Sequence, residues 1–316
     1  MLQALARNKS IGFGVIVVIV LSVLALVLPT YWTQLLTRVL IMALFATSLN
    51  FQVGYAGMFP LGHSMFLGLG VYSFGLLFTK GDLALTPAFG GALLISIMAS
   101  GIIGYLCLRG DSMTFALLHL GFNILLYTIV NKWISFTGGN AGIVGISRPG
   151  LFSDTQSFYY FVLAAVSICY ILMRILINSP FAKVTQGLRE NEERLRFLGI
   201  NIRRFQLVIF IISGLFAAVA GILLAMLDKG VFPTDISLTK SAEGLMMCLI
   251  GGMFSFLGPS LGAAIVVIIS TVTSTYINQW QGLLGIIIIA CVIGFRGGIL
   301  GRRKSKLRLS KERVHQ

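Results

Sequence analysis

The sequence predicts an all-α polytopic membrane protein with about eight to ten transmembrane or partly broken helices. Hydrophobic residues make up 57% of the 316 residues and charged residues 11%, with a mean hydropathy of +0.93. A soluble domain carries about a quarter charged residues. Residues 244–295 include no Asp, Glu, Lys, Arg or His, and one membrane crossing needs only about 20 apolar residues. This uncharged stretch therefore has to fold back on itself within the membrane.

Apolar runs that precede the uncharged stretch predict the first seven helices. They fall at 11–28, 35–53, 61–79, 84–108, 113–131, 156–177 and 206–227. The uncharged stretch divides at 254–259 and at 278–282, because Gly and Pro interrupt helices and Asn and Gln suit an interface. Three more helices follow. Although Arg7 and Lys9 precede the first run as in a secretion signal, no small-residue cleavage site follows, so we interpret this run as a retained span.

The basic residues predict the orientation of the spans. The net charge of +14 comes largely from residues between or beyond the apolar runs, which indicates topology rather than nucleic-acid binding. We divide the chain into a permease domain at 1–301 and a basic tail at 302–316. With an even number of spans, the N-terminus, the loop 179–205 and this tail all lie in the cytoplasm. The loops 132–156 and 228–243 then face the periplasm. This predicts a multi-pass protein of the bacterial inner membrane. The basic residues are Lys183, Arg189, Arg194, Arg196, Arg203 and Arg204 in the loop, and Arg296, Arg302, Arg303, Lys304, Lys306, Arg308, Lys311 and Arg313 after the last run.

Motifs for catalysis are absent. There is no Gly-Lys dipeptide and hence no phosphate-binding Walker loop, and neither a zinc-protease nor a serine-hydrolase signature occurs. The four cysteines lie far apart, without metal-ligand spacing. We therefore predict no catalytic residue, metal or cofactor, and any ATP hydrolysis would belong to a separate polypeptide.

The loop 179–205 has the pattern of an amphipathic helix. Pro180 is placed to begin it, and Phe181, Val184, Leu188, Leu195 and Leu198 recur at helical spacing. Such a helix could lie at the lipid interface or dock a protein. Its clustered acids favour a protein partner. The charged residues on its other faces are Lys183, Arg189, Glu190, Glu192, Glu193, Arg194 and Arg196.

This loop also resembles a known family. From Ser179-Pro180-Phe181-Ala182-Lys183 through Arg189-Glu190-Asn191-Glu192-Glu193 to Leu198-Gly199-Ile200-Asn201, it is similar to the cytoplasmic coupling loop of branched-chain amino-acid ABC permeases. Three other stretches resemble the same family in the same order, and the similarity runs over about 40–301, closer to the M-type than to the H-type permease. They are Gly54-Tyr55-Ala56-Gly57 with Leu61-Gly62-His63, Thr137-Gly138-Gly139-Asn140-Ala141-Gly142-Ile143, and Gly251-Gly252 with Leu257-Gly258-Pro259.

The resemblance implies a heterodimer with a homologous second permease, two cytoplasmic ATPase subunits and a periplasmic solute-binding protein. The substrate would be a branched-chain or similar amino acid. Urea, short amides or another small solute are alternative substrates. The sequence departs from the family pattern at 58–60 and 254–256, and these departures concern the identity of the substrate. The residues expected to couple to the ATPases are Phe181, Leu188, Glu190, Glu192, Arg194, Leu195 and Gly199.

Two segments are candidates for the substrate pathway. Freed backbone groups in 55–63 could bind the charged ends of an amino acid, as half-helix termini do in other transporters. His63 there could line the pathway, or as a neutral side chain hold a freed carbonyl near Pro60; His119 is interpreted as packing. The Gly-rich segment 137–142 could form an outer gate or a binding-protein dock, or be only a turn. The pathway candidates are Tyr55, Gly57, Pro60, His63, Thr137 and Asn140.

A possible internal repeat and the ionisable residues in the spans bear on alternative functions. The segments 57–62 and 252–259 look alike, which indicates either paired broken helices at a transport site or chance similarity in a Gly-rich chain. An ion-coupled secondary transporter would place ionisable groups within its spans, and none is expected well inside. An intramembrane enzyme ranks third, because neither His63 nor His119 has a recognisable catalytic partner.

Overall fold

The fold is a bundle of α-helices. A computed structural model describes residues 2–146, 148, 150–276, 282, 298 and 299, and the predicted all-α membrane fold is confirmed. Two short strands, β1 (Ile143–Val144) and β2 (Gly230–Val231), pair antiparallel. The helices are α1 (Leu2–Val27), α2 (Thr30–Asn50), α3 (Ser64–Thr79), α4 (Leu85–Cys107), α5 (Ser112–Lys132), α6 (Ile134–Thr137), α7 (Thr155–Ile177), α8 (Pro180–Glu190), α9 (Glu192–Phe197), α10 (Ile202–Asp228), α11 (Leu238–Gly251) and α12 (Gly258–Tyr276).

Five of the described helical stretches are long and apolar enough to cross a membrane. They are Thr30–Tyr55, Leu85–Cys107, Ser112–Lys132, Thr155–Ile177 and Ile202–Asp228. Each of the seven predicted runs coincides with a helix, and the predicted division at 254–259 separates α11 from α12. The last predicted helix, the division at 278–282 and the basic tail lie outside the described residues, apart from isolated positions.

Two of the helices are broken near the middle of the bundle. α2 continues into a π-helical turn at Phe51–Tyr55, the chain is irregular over 56–63, and α3 begins at Ser64. Gly57 has a φ of +69° there, a conformation that glycine adopts without steric cost. In the second half, α10 is followed by β2, by a 3₁₀ turn at Pro233–Ile236 and then by α11.

The two breaks have opposite orientations. α3 runs alongside α10 in the same direction, because Phe66 lies beside Gly214 and Gly75 beside Val231. α11 runs in the same direction as α2. It begins close to the start of α3, yet the two helices lead to opposite ends of the bundle. α4 packs on α10 as α12 packs on α2, which is the arrangement of an inverted repeat.

The similar segments 57–62 and 252–259 both interrupt helices. The start of the first break and the segment 252–259 lie at the same end of the bundle, where a Cβ on Gly54 would lie 2.2 Å from the carbonyl oxygen of Met253. They are therefore not inverted counterparts. The segment that mirrors 56–63 is 229–237, whose sequence is different because it is anchored by a strand and a 3₁₀ turn.

Small residues let the central helices approach closely. A Cβ on Gly221 would lie 2.0 Å from the carbonyl oxygen of Leu67, and a Cβ on Gly70 would lie 2.2 Å from that of Ala218. α3 and α10 are thus in backbone contact, a packing that glycine permits in membrane helices.

The bundle has two distinct ends. We call the end that carries α8 and α9 the α8 end, and the end that carries β1 and β2 the hairpin end. The hydroxyl of Tyr159, near the start of α7, donates to the carbonyl of Leu21, near the end of α1. α1 is therefore antiparallel to α7, and its N-terminus points to the α8 end.

Candidate functional site

The beginnings of α3 and α11 meet inside the bundle. The amide of Ser64 donates to the hydroxyl oxygen of Ser241 over 2.9 Å, and the Ser241 hydroxyl donates to that of Ser64 over 2.7 Å. The Ser64 hydroxyl in turn donates to the carbonyl oxygen of Ile236 over 3.0 Å. Helix N-termini leave amides without partners, and here Ser241 of α11 supplies the acceptor for the first amide of α3.

Two side chains of α5 complete this junction. Asn123 donates to the Ile236 carbonyl and to the Ser64 hydroxyl, each over 2.9 Å. The amide of Gly62 donates to Nδ1 of His119 over 2.8 Å. His119 therefore holds the break, and its interpretation as packing alone is wrong.

His63 has a different partner from the one expected. Its side chain is fully buried, Nε2 lies 3.1 Å from the Ser48 hydroxyl, and the ring stacks on Phe45 with centroids 5.5 Å apart. It bonds to α2 rather than to a carbonyl near Pro60, because the backbone freed at the break is held by α5. Pro60 is buried as well.

Tyr55 and Gly57 lie at the α8 end, away from the junction. Arg189 of α8 donates a hydrogen bond to the carbonyl oxygen of Gly54, and a Cβ on Gly57 would lie 2.8 Å from the Arg189 side chain. The Arg189 guanidinium also lies 4.9 Å from the ring centroid of Phe254. The segment predicted for the pathway and the loop predicted for coupling thus meet at Arg189, which was not among the predicted site residues.

Thr137 and Asn140 lie at the hairpin end. The Thr137 hydroxyl lies 2.6 Å from the Val130 carbonyl and 2.7 Å from that of Trp133, so it fastens the loop to α5. Asn140 is exposed. The six predicted pathway residues are therefore divided between the two ends and the interior, and the structure does not bring them into one site.

The predicted amphipathic helix is two helices. Asn191 separates them, and its side-chain oxygen accepts a hydrogen bond of 2.9 Å from the amide of Arg194, which caps α9. Leu188 and Leu195 are 7% and 9% exposed and pack into the protein's own core, so they are not outward anchors. Phe181 stacks on Phe205 with centroids 5.5 Å apart.

Other residues of this loop face outward. Phe197 is 86% exposed and Leu198 69% exposed, although both are large and apolar. The predicted coupling residues Glu190, Glu192, Arg194 and Gly199 are exposed beside them. An outward surface with apolar and charged parts is therefore present at the α8 end. Of the predicted apolar stripe, Leu198 contributes to this surface, beside Phe197.

A cavity of about 500 Å³ lies between this loop and the first break. Its lining includes Leu188 and Glu192 from α8 and α9 and Gly57 and Met58 from the break. Glu192 pairs with Arg196 over 3.1 Å at the rim. Asp111, on the facing turn, caps α5, and the hydrogen bond from Thr114 lowers the pKa of its carboxyl.

Charged groups inside the bundle were also missed. Arg38 of α2 pairs with Asp228 at the end of α10, and Lys240 of α11 pairs with Glu243 over 3.0 Å. The sequence placed residues 228–243 in an outer loop, whereas α11 begins at Leu238. The Lys-x-x-Glu spacing beside an apolar run is a signal of an i,i+3 helical pair that could have indicated this.

The chain is similar to known transport proteins. A family model described as a branched-chain amino acid transport system permease component matches residues 31–293. The LivM high-affinity branched-chain amino acid permease protein of Escherichia coli strain K12 is 29% identical over 90% of this chain and 75% of its own length.

Two other relatives extend the comparison. The corresponding LivH protein of the same organism is 24% identical over 82% of this chain and 91% of its own length. The L-arabinose transport system permease protein AraH of E. coli K12 is 26% identical over 44% of each chain. No solved structure matches this chain at a significant level.

Proposed function

The chain belongs to the family of branched-chain amino acid transport system permease components, and from this premise we propose its substrate, partners and orientation. It is the membrane-spanning permease of an ATP-binding-cassette importer, and we infer that this importer carries branched-chain or similar amino acids. Both LivM and LivH are similar to this chain, which supports a homologous second permease subunit as its partner.

ATP hydrolysis takes place in separate subunits that dock on the α8 end. The observation that carries this proposal is the position of α8 and α9. They expose Phe197, Leu198 and several charged groups outward, while Arg189 reaches inward to Gly54 and Phe254. A movement of α8 that follows nucleotide binding is thereby passed at once to the first break and to the connection between α11 and α12.

The α8 end faces the cytoplasm. Six basic residues of the loop 179–205 lie there, and basic loops are retained on the cytoplasmic side. α1 begins at the same end, so the N-terminus is cytoplasmic too. A cysteine in place of Gln186 should be labelled only from the cytoplasm, and one in place of Ser153 only from the periplasm. The reverse pattern would overturn the orientation.

The hairpin end receives a periplasmic solute-binding protein. Here the loop between α5 and α7 is fixed by the pairing of Ile143 with Val231 and by the Thr137 hydrogen bonds. It nevertheless leaves Ile134 72% and Val144 74% exposed. A rigid loop with exposed apolar side chains suits a transient protein partner.

Reconstitution tests the function. We would reconstitute the chain into proteoliposomes with a second permease and two ATPases, and add the binding protein. These proteoliposomes should accumulate L-leucine only when ATP is supplied on the α8 side. Urea, acetamide and L-arabinose test the other solute classes. ATP-driven uptake of one of these without L-leucine uptake would replace the substrate, and uptake without ATP, driven by an ion gradient, would overturn the importer class.

A further inference from the structure

Five charged side chains gather where α11 begins. Arg38 pairs with Asp228, and Lys240 pairs with Glu243. Asp235, which is 8% exposed, interacts electrostatically with both Lys240 and Arg38. Lys240 also interacts with Asp228. We call these two ion pairs and Asp235 the charged cluster.

The charged cluster reaches the middle of the membrane. Lys240 precedes Ser241, which bonds to Ser64, and Ser64 accepts a hydrogen bond from Asn123 at the middle of α5. Gly244, beside Glu243, packs on the ring of Phe45 in the interior of α2. The pair of Lys240 with Glu243 thus lies about halfway across the bundle, while Arg38 and Asp228 lie toward the hairpin end.

This cluster is not sealed inside the chain. The side chains of Arg38, Asp228, Lys240 and Glu243 are 43%, 22%, 19% and 14% exposed. Ionised groups in contact with hydrocarbon are strongly unfavourable and face a protein interior or a water-filled cavity instead. The face that carries them is therefore turned away from lipid, toward the second permease and the space between the two subunits.

The charges of the cluster are mixed. Two bases and three acids lie side by side. Arg148 interacts with Asp228, but it donates hydrogen bonds to the carbonyl oxygens of Met226 and Leu227. Because the group contains both bases and acids, it can contact both charged ends of one solute. A small zwitterion brings both charges, so its carboxylate can bind Arg38 or Lys240 while its ammonium binds Glu243 or Asp235.

We propose that the charged cluster is a transient binding site for the ammonium and carboxylate groups of a zwitterionic amino acid on the translocation pathway. The site rests on the proposed importer function and deepens it, since it assigns residues and an ionic form to the transported solute. The exchangeable ion pairs let the solute bind and leave, as transport requires.

Cysteine accessibility tests the location and the occupancy of this site. Thr239 is exposed next to Lys240, and in the complete complex in nanodiscs a Thr239→Cys thiol should react with a membrane-impermeant methanethiosulfonate. L-Leucine should slow that reaction, and acetamide should not. Ile171→Cys, 60% exposed on α7, is the control. Reactivity no higher than this control would overturn the proposal, and so would reaction that L-leucine does not slow.

A paired neutralisation tests the ionic form. Lys240→Gln with Glu243→Gln removes both members of this ion pair together. L-Leucine uptake should fall about tenfold or more, the effect of losing charge-assisted hydrogen bonds, with ATPase co-purification unchanged. Lys132→Gln at the hairpin end is the control. Uptake within about twofold of wild type would overturn the site. Lack of L-leucine uptake by the wild-type complex would instead overturn the proposed substrate, so the two failures are distinguishable.

Discussion

Arg189 of α8 donates a hydrogen bond to the carbonyl oxygen of Gly54, in the π-helical turn that ends α2. A π-helical turn changes the carbonyl pairing of a helix and is frequent at functional sites. The same guanidinium packs over Phe254, in the connection between α11 and α12. One side chain thus connects the coupling loop to both halves of the inverted repeat.

Replacing Arg189 by Ala should uncouple ATP hydrolysis from transport. A hydrogen bond to a charged group contributes about 1.5–3 kcal/mol, so its loss should lower uptake about tenfold or more. ATPase co-purification should be retained, because the outward surface of α8 and α9 is unchanged. Solute transported per ATP hydrolysed is the measurement.

The control for this experiment is Lys183→Ala, an exposed position on the same helix. Arg189→Lys keeps the charge but loses the planar guanidinium, so its coupling should be intermediate. A normal ratio of transport to hydrolysis in Arg189→Ala would show that α8 acts through another contact.

Replacing Phe197 by Ser should weaken ATPase docking. Interface energies concentrate in a few large side chains, and truncating one costs about 2 kcal/mol or more, which corresponds to at least about a tenfold loss of affinity. Pull-down of the ATPases measures it, with the exposed Gln186→Ser as control. If Phe197 instead inserts into the lipid interface, the ATPases would remain bound.

The helices could be predicted from the sequence, but the structure of their breaks could not. The long runs, the end of α11 near Gly252 and the start of α8 at Pro180 follow from local signals. The start of α11 was missed because the segment 229–237 is polar enough to suggest an outer loop, and only its contacts with Ser64 and Asn123 place it inside.

The site was predicted less completely than the fold, for a related reason. Leu188 and Leu195 have the spacing of an outward stripe, but periodicity does not reveal which partner a stripe packs on, and here it is the protein's own core. Arg189 was predicted only as one of several charged residues of its loop and not as a site residue. Its role depends on Gly54, which is distant in sequence.

Replacing Gly221 by Ala should destabilise the bundle. The added Cβ would lie 2.0 Å from the Leu67 carbonyl oxygen, so α3 and α10 would have to move apart, at a cost of about 1–3 kcal/mol for overpacking. Gly101→Ala is a matched control, because its nearest neighbour would be 3.9 Å away. Thermal unfolding in detergent should show a lower transition temperature for Gly221→Ala alone. Equal temperatures would mean that this crossing is looser than the structure shows.

The two buried histidines should differ in their contributions to stability. In His119→Phe the amide of Gly62 loses the Nδ1 acceptor, and an unsatisfied buried amide costs about 1–3 kcal/mol. In His63→Phe the Ser48 hydroxyl keeps its 2.7 Å bond to the Phe45 carbonyl, so the loss should be smaller. His119→Asn places an amide oxygen near the position of Nδ1 and should restore part of the stability. Thermal unfolding of the three variants in the same detergent measures the order, which we expect to be His119→Phe lowest and His63→Phe highest. If His63→Phe were the least stable, the break would depend on the contact of α3 with α2 rather than on its closure by α5.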